Sequence, residues 1–434
     1  MTQAGTELYA TLDELAARIE PRVIEWRHHL HRHPELSNRE KNTARFITDH
    51  LETLNLDEIR TGIAGHGVVG VLEGGRAGDR VMALRADFDA LPVKETSGVD
   101  FASTVVDETY PGGPFPVAHA CGHDCHTAML MGAATVLADV RDRLPGTVLF
   151  VFQPAEEGPP IDADGTAEKG GAAEMRAEGA LDDPSPTMVY GMHVAPLPKG
   201  CVGYRVGNQF GASCVVRIVV TGRQVHGSTP WEGVDPLPPA AEIITATGQM
   251  YRQLDASHPF TVTIGHVQDV GRFNIIGRRV ALLGTLRCSI ESDMTRLQDI
   301  VRRTAENIAR AYGCTATTEF LQDVPAVHNE PEWVDAALPT LRRVAGPQNV
   351  VTTPPTLGYD DVSVFVNAYG GLYVLLGCQD LDLTADGIVP SPGGRGMVFN
   401  HNPAFYADDT VLATGVRLHA NIAVDHLHGT LEPS

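Results

Sequence analysis

Residues 118–130 read AHACGHDCHTAML, and the eight positions from His119 to His126 hold three histidines and two cysteines. Imidazole, thiolate and carboxylate are the donors that bind zinc, manganese, cobalt or nickel. A second stretch, FQPAEEG at 152–158, supplies the paired carboxylates Glu156 and Glu157. One such carboxylate can bind a cation while its neighbour takes a proton from water. His193 and His401 follow the apolar runs TMVYGM and GMVFN, and Asp87 and Asp89 follow RVMALRA. These donors exceed what one tetrahedral ion needs. The surplus points to two ions about 3.5–4 Å apart, clamping a water that attacks a carbonyl. Each residue has an ordinary reading too: a buried thiol, a hydrogen-bonded core histidine, a solvated acidic turn. Recurrence at the ends of apolar strands favours the chemistry.

The elements that must position these residues can be read from the same pattern. VVGVLEG, RVMALRAD, TVLFVFQ and TMVYGMHV are nearly unbroken apolar strands. Helices are predicted over 7–32, from about 41 to 54, and over AMLMGAATVLADV. Such alternation predicts an α/β domain with a mostly parallel sheet and helices on both faces. Ligands of such sheets collect outside the carboxyl ends of the strands. YVLLGC and GMVFN are expected as further strands. After about Gly207 the order becomes strand (ASCVVRIVVTG), helix (PLPPAAEIITATGQMYRQL), two strands (FTVTIGHVQ, RRVALLGTLRCS), helix (MTRLQDIVRRTAENIARAYG) and strand (CTATTEFLQ). That β-α-β-β-α-β order is ferredoxin-like. The expectation is a discontinuous metal-binding catalytic domain over 1–206 and 325–434, with an inserted α+β domain over 207–324. A hinge is expected near 206 and 325. The polar stretch 159–171 is the one long irregular loop.

Size and charge bound the partners. A chain of 434 residues suits two domains better than one. A net charge of −21 argues against nucleic acid and anionic membrane as partners. No apolar run approaches the ~18 residues needed to cross a bilayer. The first residues lack a basic start followed by an apolar block, so no secretory leader is expected. Seven scattered cysteines, an odd number, argue against a disulfide framework and for a reducing cytoplasm. His28, His29, His31 and His33 fall on and just after a helix away from the strand ends, and are expected to be structural.

The blocks HRHPEL, ALRADFDALPVKE, HACGHDCHTA, FQPAEEG, GMHV, HGSTP, GTLR and HNPAF, in this order over nearly the whole chain, resemble the M20 metallopeptidase family. The similarity is to the amidohydrolase branch of aminoacylases, hippurate hydrolases and auxin-conjugate hydrolases. CGHDxHT followed by FQPAEEG is its most specific part. The resemblance implies two divalent ions, zinc or manganese first and cobalt or nickel next, bound by Cys121, His123, Glu157, His193 and His401. It implies Glu156 as general base and proton shuttle, and Asp89 as the acidic residue that orients a neighbouring ligand or the base. Cys121 stands where other branches use a bridging aspartate. His226, in the inserted domain, is implied to reach the active site of a partner subunit in a homodimer or higher homo-oligomer and to help hold the carbonyl oxygen. Asn274 and Arg287 match substrate contacts, the arginine suited to a carboxylate; an edge-strand charge is its plainer reading. The implied reaction is hydrolysis of an N-acyl amino acid or related conjugate by a metal-held water. A metallo-dipeptidase or carboxypeptidase, and a non-catalytic metal-binding homologue, are the alternatives. Three departures bear on the substrate: GYDDV at 358–362 replaces the usual GSEDF, Cys125 replaces a common glycine, and the 159–171 loop is long.

Overall fold

The computed structural model describes residues 3–161, 166–269, 271–385 and 387–433. Part of the 159–171 loop lies outside them. The chain forms two compact units: Met1–Gln209, His328–Pro354 and Asp361–Ser434 make the first, Phe210–Val327 and Pro355–Asp360 the second.

The first unit is built on eight strands. In chain order these are β1 (Glu58–Ile63), β2 (Gly67–Glu73), β3 (Arg76–Asp87), β4 (Pro145–Gln153), β5 (Met188–Pro198), β6 (Val202–Tyr204), and, after the second unit, two more. Those two follow the second unit's four strands, β7 (Ala212–Thr221), β8 (Phe260–Asp269), β9 (Arg279–Cys288) and β10 (Thr315–Val324); they are β11 (Val350–Thr352) and β12 (Gly371–Gln379). The large sheet runs β1-β2-β4-β3-β5-β12-β6-β11. Its centre, β4-β3-β5-β12, is parallel, while β1, β2 and the β12–β6 pairing are antiparallel. Consecutive residues Val148–Gln153 of β4 and Met188–Val194 of β5 are buried. Burial of both alternating side-chain sets requires cover on both faces.

That cover comes from α1 (Gln3–Arg32), α2 (Lys41–Leu51), α3 (His123–Asp139), α4 (Gly171–Ala177), and, past the second unit's α5 (Leu237–Thr247) and α6 (Ser292–Ala311), from α7 (Pro331–Ala345), α8 (Ser363–Tyr369) and α9 (Leu412–Leu427). Leu8, Leu12, Ala16, Val23, Trp26 and Leu30 put one apolar stripe of α1 into the core. α3 is buried nearly all round, as its mostly apolar composition requires, and its two carboxylates are paired, Asp124 with Arg27 and Asp139 with Arg18.

The second unit is a four-stranded antiparallel sheet in the order β8-β9-β7-β10. Helices α5 and α6 complete the β-α-β-β-α-β order. Met294, Leu297, Val301, Ala305 and Ala309 line the buried face of α6 against Val216, Ile218, Val220 and Leu282. Three local expectations need correction. GMVFN is not a strand: the backbone of Val398 bonds in both directions to the side-chain amide of Gln379, which takes the place of a neighbouring strand. The strand carrying His193 runs on to Pro198, so His193 lies inside it. The helix read over 236–254 runs only from Leu237 to Thr247, and a short 3-10 turn, Met250–Gln253, follows. No helix among the described residues is long and apolar enough to cross a membrane.

Candidate metal centre

Register brings the donors together. Asp87 closes β3 opposite Gln153, the last residue of β4. The β3–β5 pairing stops at Arg85–Gly191, two residues short of Asp87 and His193. The N-terminus of α3 fills the opening. Gly122 precedes it with φ +99°, and a Cβ there would come within 2.3 Å of Val194. Only glycine meets both conditions, and it sets Cys121 and His123 on either side of this close approach.

His123 is fully buried. Its Nδ1 lies 2.9 Å from the Asp89 carbonyl oxygen and 3.2 Å from Asp89 Oδ1. The Nε2 therefore faces the site, where it has no hydrogen-bond partner. Around it stand Asp87 Oδ2 at 3.8 Å, Glu156 Oε2 at 3.7 Å and Glu157 Oε1 at 3.8 Å. His193 donates from Nδ1 to the Val194 carbonyl oxygen at 2.7 Å, which leaves Nε2 facing Cys121 Sγ at 3.3 Å. His401 Nε2 lies 3.2 Å from Glu157 Oε1. His401 has φ +68°, and its N–H donates to the Ala120 carbonyl oxygen at 2.7 Å. Asn400 Nδ2 donates to the Cys121 carbonyl oxygen at 2.8 Å and so ties the same loop to α3's approach.

Among the donor groups whose ligand atoms lie within 4.8 Å of one another are Cys121–His123–His193, Cys121–Glu157–His401 and His123–Glu156–Glu157, and the first two form a pair. They share the cysteine. Ligands about 2.1 Å from a tetrahedral ion stand roughly 3.4 Å apart, so separations of 3.2–3.8 Å suit donors around cations. The electrostatics agree. Burial, followed by the charges of Glu157, Glu156 and Asp87, raises the Cys121 thiol well above its ordinary range. A cation is what would ionise it. Burial alone would lower the His123 pKa, yet Asp87 and Asp89 push it up to about 10. Burial opposes ionisation of Glu157, but His401 and His123 bring its pKa down to about 2. Burial lowers His193 to about 3, leaving a neutral imidazole, the form that binds metal. The residues present fit a divalent pair.

A further grouping, Asp87–His123–His126, is closed. His126 Nδ1 donates to Asp87 Oδ1 at 2.6 Å, and its Nε2 accepts from the Val194 N–H at 2.8 Å. Both nitrogens are spent. Asp87 in turn is held by Arg85 at 2.6 Å, and Arg85 by Gln153 at 2.8 Å and Asp361 at 3.2 Å. Burial works against the Asp87 charge, while Arg85 and His123 hold its pKa well below the usual range. Sequence reasoning read Asp87 as a donor that follows an apolar run, whereas the structure joins it to both His126 and Arg85. Sequence reasoning gave no role to Arg85, Gln153, His126 or Asp361. Asp361 lies in the departing GYDDV segment, where it accepts from Gln153 Nε2 at 2.6 Å and the Ala172 N–H at 2.7 Å. No local spacing signals that bond.

Asp89 is buried and accepts from Ser37 Oγ at 2.7 Å and the Glu157 N–H at 3.0 Å in addition to its contact with His123. His226, Asn274 and Arg287 lie in the second unit. His226 is exposed and pairs with Ile275 on a two-residue ladder, and the Gly227 N–H donates to the Asn274 carbonyl oxygen at 3.0 Å, so these two are neighbours. His226 Nδ1 accepts from the Ser228 N–H at 3.1 Å. Arg287 donates to the Leu357 carbonyl oxygen at 3.2 Å and lies over the Tyr359 ring at 4.9 Å.

The parallel-centred sheet thus carries histidine, thiol and paired carboxylates at one edge, a donor set suited to divalent metals. Residues 83–425 match peptidase family M20/M25/M40, and the chain belongs to that family. It is 34% identical to thermostable carboxypeptidase 2 of Saccharolobus solfataricus over 423 residues, 96% of this chain and 98% of that one. It is 31% identical to N-acetylcysteine deacetylase of Bacillus subtilis over 410 residues, 93% and 96% of the two chains. Among solved structures it resembles a dinuclear metal-binding peptidase of the M20 family from Bacillus subtilis, with a TM-score of 0.71 and 29% identity over 95% of this chain and 99% of that one.

Proposed function

We propose that the protein hydrolyses the amide bond of an N-acyl amino acid or related conjugate, releasing the amino acid and a carboxylic acid. The observation that carries this reading is the pair of triads sharing Cys121 beside Glu156. Cys121, His123, Glu157, His193 and His401 would hold two divalent ions, with zinc or manganese favoured and cobalt or nickel compatible with the donors. Bound there, the ions supply Lewis acidity for the substrate carbonyl and ease ionisation of water. Glu156 takes the proton from the attacking water and passes it to the leaving amine nitrogen. Asp89 holds the His123 ring and the Glu157 amide, so one carboxylate orients a ligand from the helix and a ligand from the turn. His226, from the partner of a homodimer, helps hold the substrate carbonyl oxygen, and Asn274 contacts the substrate. Arg287 pairs with the substrate carboxylate. The seven free, buried thiols suit a reducing cytoplasm.

Glu156→Gln tests the reading. The variant folds, keeps its metal and loses about 10²–10⁴-fold in kcat, the span of a lost general base. Near-normal turnover would refute the assignment. A peptidase reading is favoured by one observation, the 34% identity to a relative named as a carboxypeptidase. N-acetyl and N-benzoyl amino acids compared with free dipeptides separate the two: preference for a free α-amino group selects the peptidase. No hydrolysis of either class after reconstitution with all four metals selects a non-catalytic homologue.

A further inference from the structure

Glu156 and Glu157 stand on a turn whose backbone is unusual. Ala155, just before them, has φ +53°, a left-handed conformation that costs an alanine energy and a glycine none. Something must hold it. Ala155 is buried, and its N–H donates to Glu40 Oε1 at 2.8 Å. Two residues on, the Glu157 N–H donates to Asp89 Oδ2 at 3.0 Å. Two carboxylates from distant parts of the chain thus grip the amides on either side of Glu156.

Glu40 has no other visible work at the site. It immediately precedes α2 and is wholly buried. Its own segment is anchored independently: the Ala90 N–H donates to the Glu35 carbonyl oxygen at 2.8 Å, and the Glu35 carboxylate caps α2 through the Asn42 and Thr43 N–H groups at 2.9 and 2.8 Å. Burial and the charge on Asp89 raise the Glu40 pKa, against the backbone N–H groups of Ala155 and Asn38 that favour its charged form. A carboxyl group is therefore kept where an apolar side chain would be easier to bury.

We propose that Glu40 is a positioning residue of the hydrolytic site, acting through the Ala155 amide to hold the left-handed turn that aims Glu156 and Glu157. The proposal rests on the assignment of Glu156 as proton carrier. Glu40 touches neither substrate nor cation; its oxygen fixes a backbone angle, and the angle fixes two side chains.

The test uses the full-length protein loaded with zinc or manganese and compares wild type, Glu40→Ala, Glu40→Gln, Glu40→Ala combined with Ala155→Gly, and Glu156→Gln. Two readouts are taken: kcat and KM on an N-acetyl amino acid, and hydrogen exchange of the backbone across 153–158. Glu40→Ala is expected to lower kcat by about tenfold to a hundredfold with KM within about twofold, as small misplacements of reacting groups do. Exchange of the Ala155 amide is expected to quicken by at least about tenfold, because its acceptor is gone. Glu40→Gln keeps an acceptor oxygen and restores both readouts. Ala155→Gly in the Glu40→Ala background recovers part of kcat, because glycine adopts the angle unaided. Wild-type kcat and exchange in Glu40→Ala would overturn the proposal, as would equal losses in the Gln and Ala variants. Should Glu40→Ala fail to fold, faster exchange in the double variant than in Glu40→Gln supports the proposal and equal exchange overturns it. An active Glu156→Gln enzyme overturns the proton-carrier assignment; an inactive one beside an unaltered Glu40→Ala overturns only the role of Glu40.

Discussion

Glu156 and Glu157 are adjacent in the chain, yet their surroundings prepare them for different work. Glu157 faces His401 and His123 and is held ionised, the state of a ligand. Glu156 sits 4% exposed, 3.7 Å from the open nitrogen of His123, within reach of a water between the triads. Cys121 is the donor both triads share, so its loss should be felt by both ions. Cys121→Ala is predicted to bind fewer than two ions per chain by elemental analysis, and Cys121→Asp, which keeps an anion able to bridge, more than the alanine variant. Equal content in wild type and Cys121→Ala would remove the thiolate from the site. Residue type made these donors legible: few side chains bind soft and borderline cations. Glu40 and Asp361 were not legible, because a carboxylate that grips a backbone N–H or an arginine across the fold looks in sequence like any surface acid.

Strand ends and helix starts place these side chains, and their placement followed from a simple pattern. Unbroken apolar runs in β3, β4 and β5 mark strands buried on both faces, and parallel neighbours end at one edge. GMVFN failed because a short apolar run does not say what will satisfy its backbone; here the Gln379 side chain does. Gly122 is a tight joint between the start of α3 and β5. Gly122→Ala is predicted to cost more than about 2 kcal/mol, combining a strained φ with overpacking against Val194, and to weaken metal binding, measured by thermal melts with and without added zinc. Tm within a degree of wild type would contradict the close approach. The histidines of α1 are structural, as expected: His31 bridges Asp124 at the start of α3, at 2.7 Å, and Glu95, at 2.9 Å. Burial works against protonation of His31, yet Asp124 and Glu95 raise its pKa above the ordinary 6.5. Burial likewise opposes ionisation of Glu95, whose pKa His31 lowers below the ordinary 4.5. A raised histidine stabilises below its unfolded pKa and loses that contribution as pH rises through the folded one; a lowered carboxylate stabilises above its unfolded pKa and loses it as pH falls. The stability gap between wild type and His31→Gln should therefore be widest between pH 4.5 and 6.5. A gap that does not change with pH in denaturant titrations would contradict the ionic link between α1 and α3.

For the molecule as a whole, cation binding and stability are one equilibrium. The first unit buries Asp87, Asp89 and Glu156 beside Glu157, and the chain carries a net charge of −21, so ions that bind the folded site and not the unfolded chain must raise Tm. Ions present at a hundred times Kd add about 2.7 kcal/mol each. Chelation should lower Tm by several degrees and re-addition of zinc or manganese should restore it; an unchanged Tm would mean the edge is held together without metal. The division into a parallel-centred unit and a β-α-β-β-α-β unit was legible because each has its own strand grammar, all-apolar in one and alternating in the other. Which acyl group and amine the enzyme accepts was not, because those contacts come from scattered single residues. Binding of two cations at this edge underlies all of the chemistry. Anomalous diffraction above and below the absorption edge, on crystals grown with zinc or manganese in excess, should show two peaks about 3.5–4 Å apart, both within bonding distance of Cys121. An edge without anomalous peaks under those conditions would contradict it.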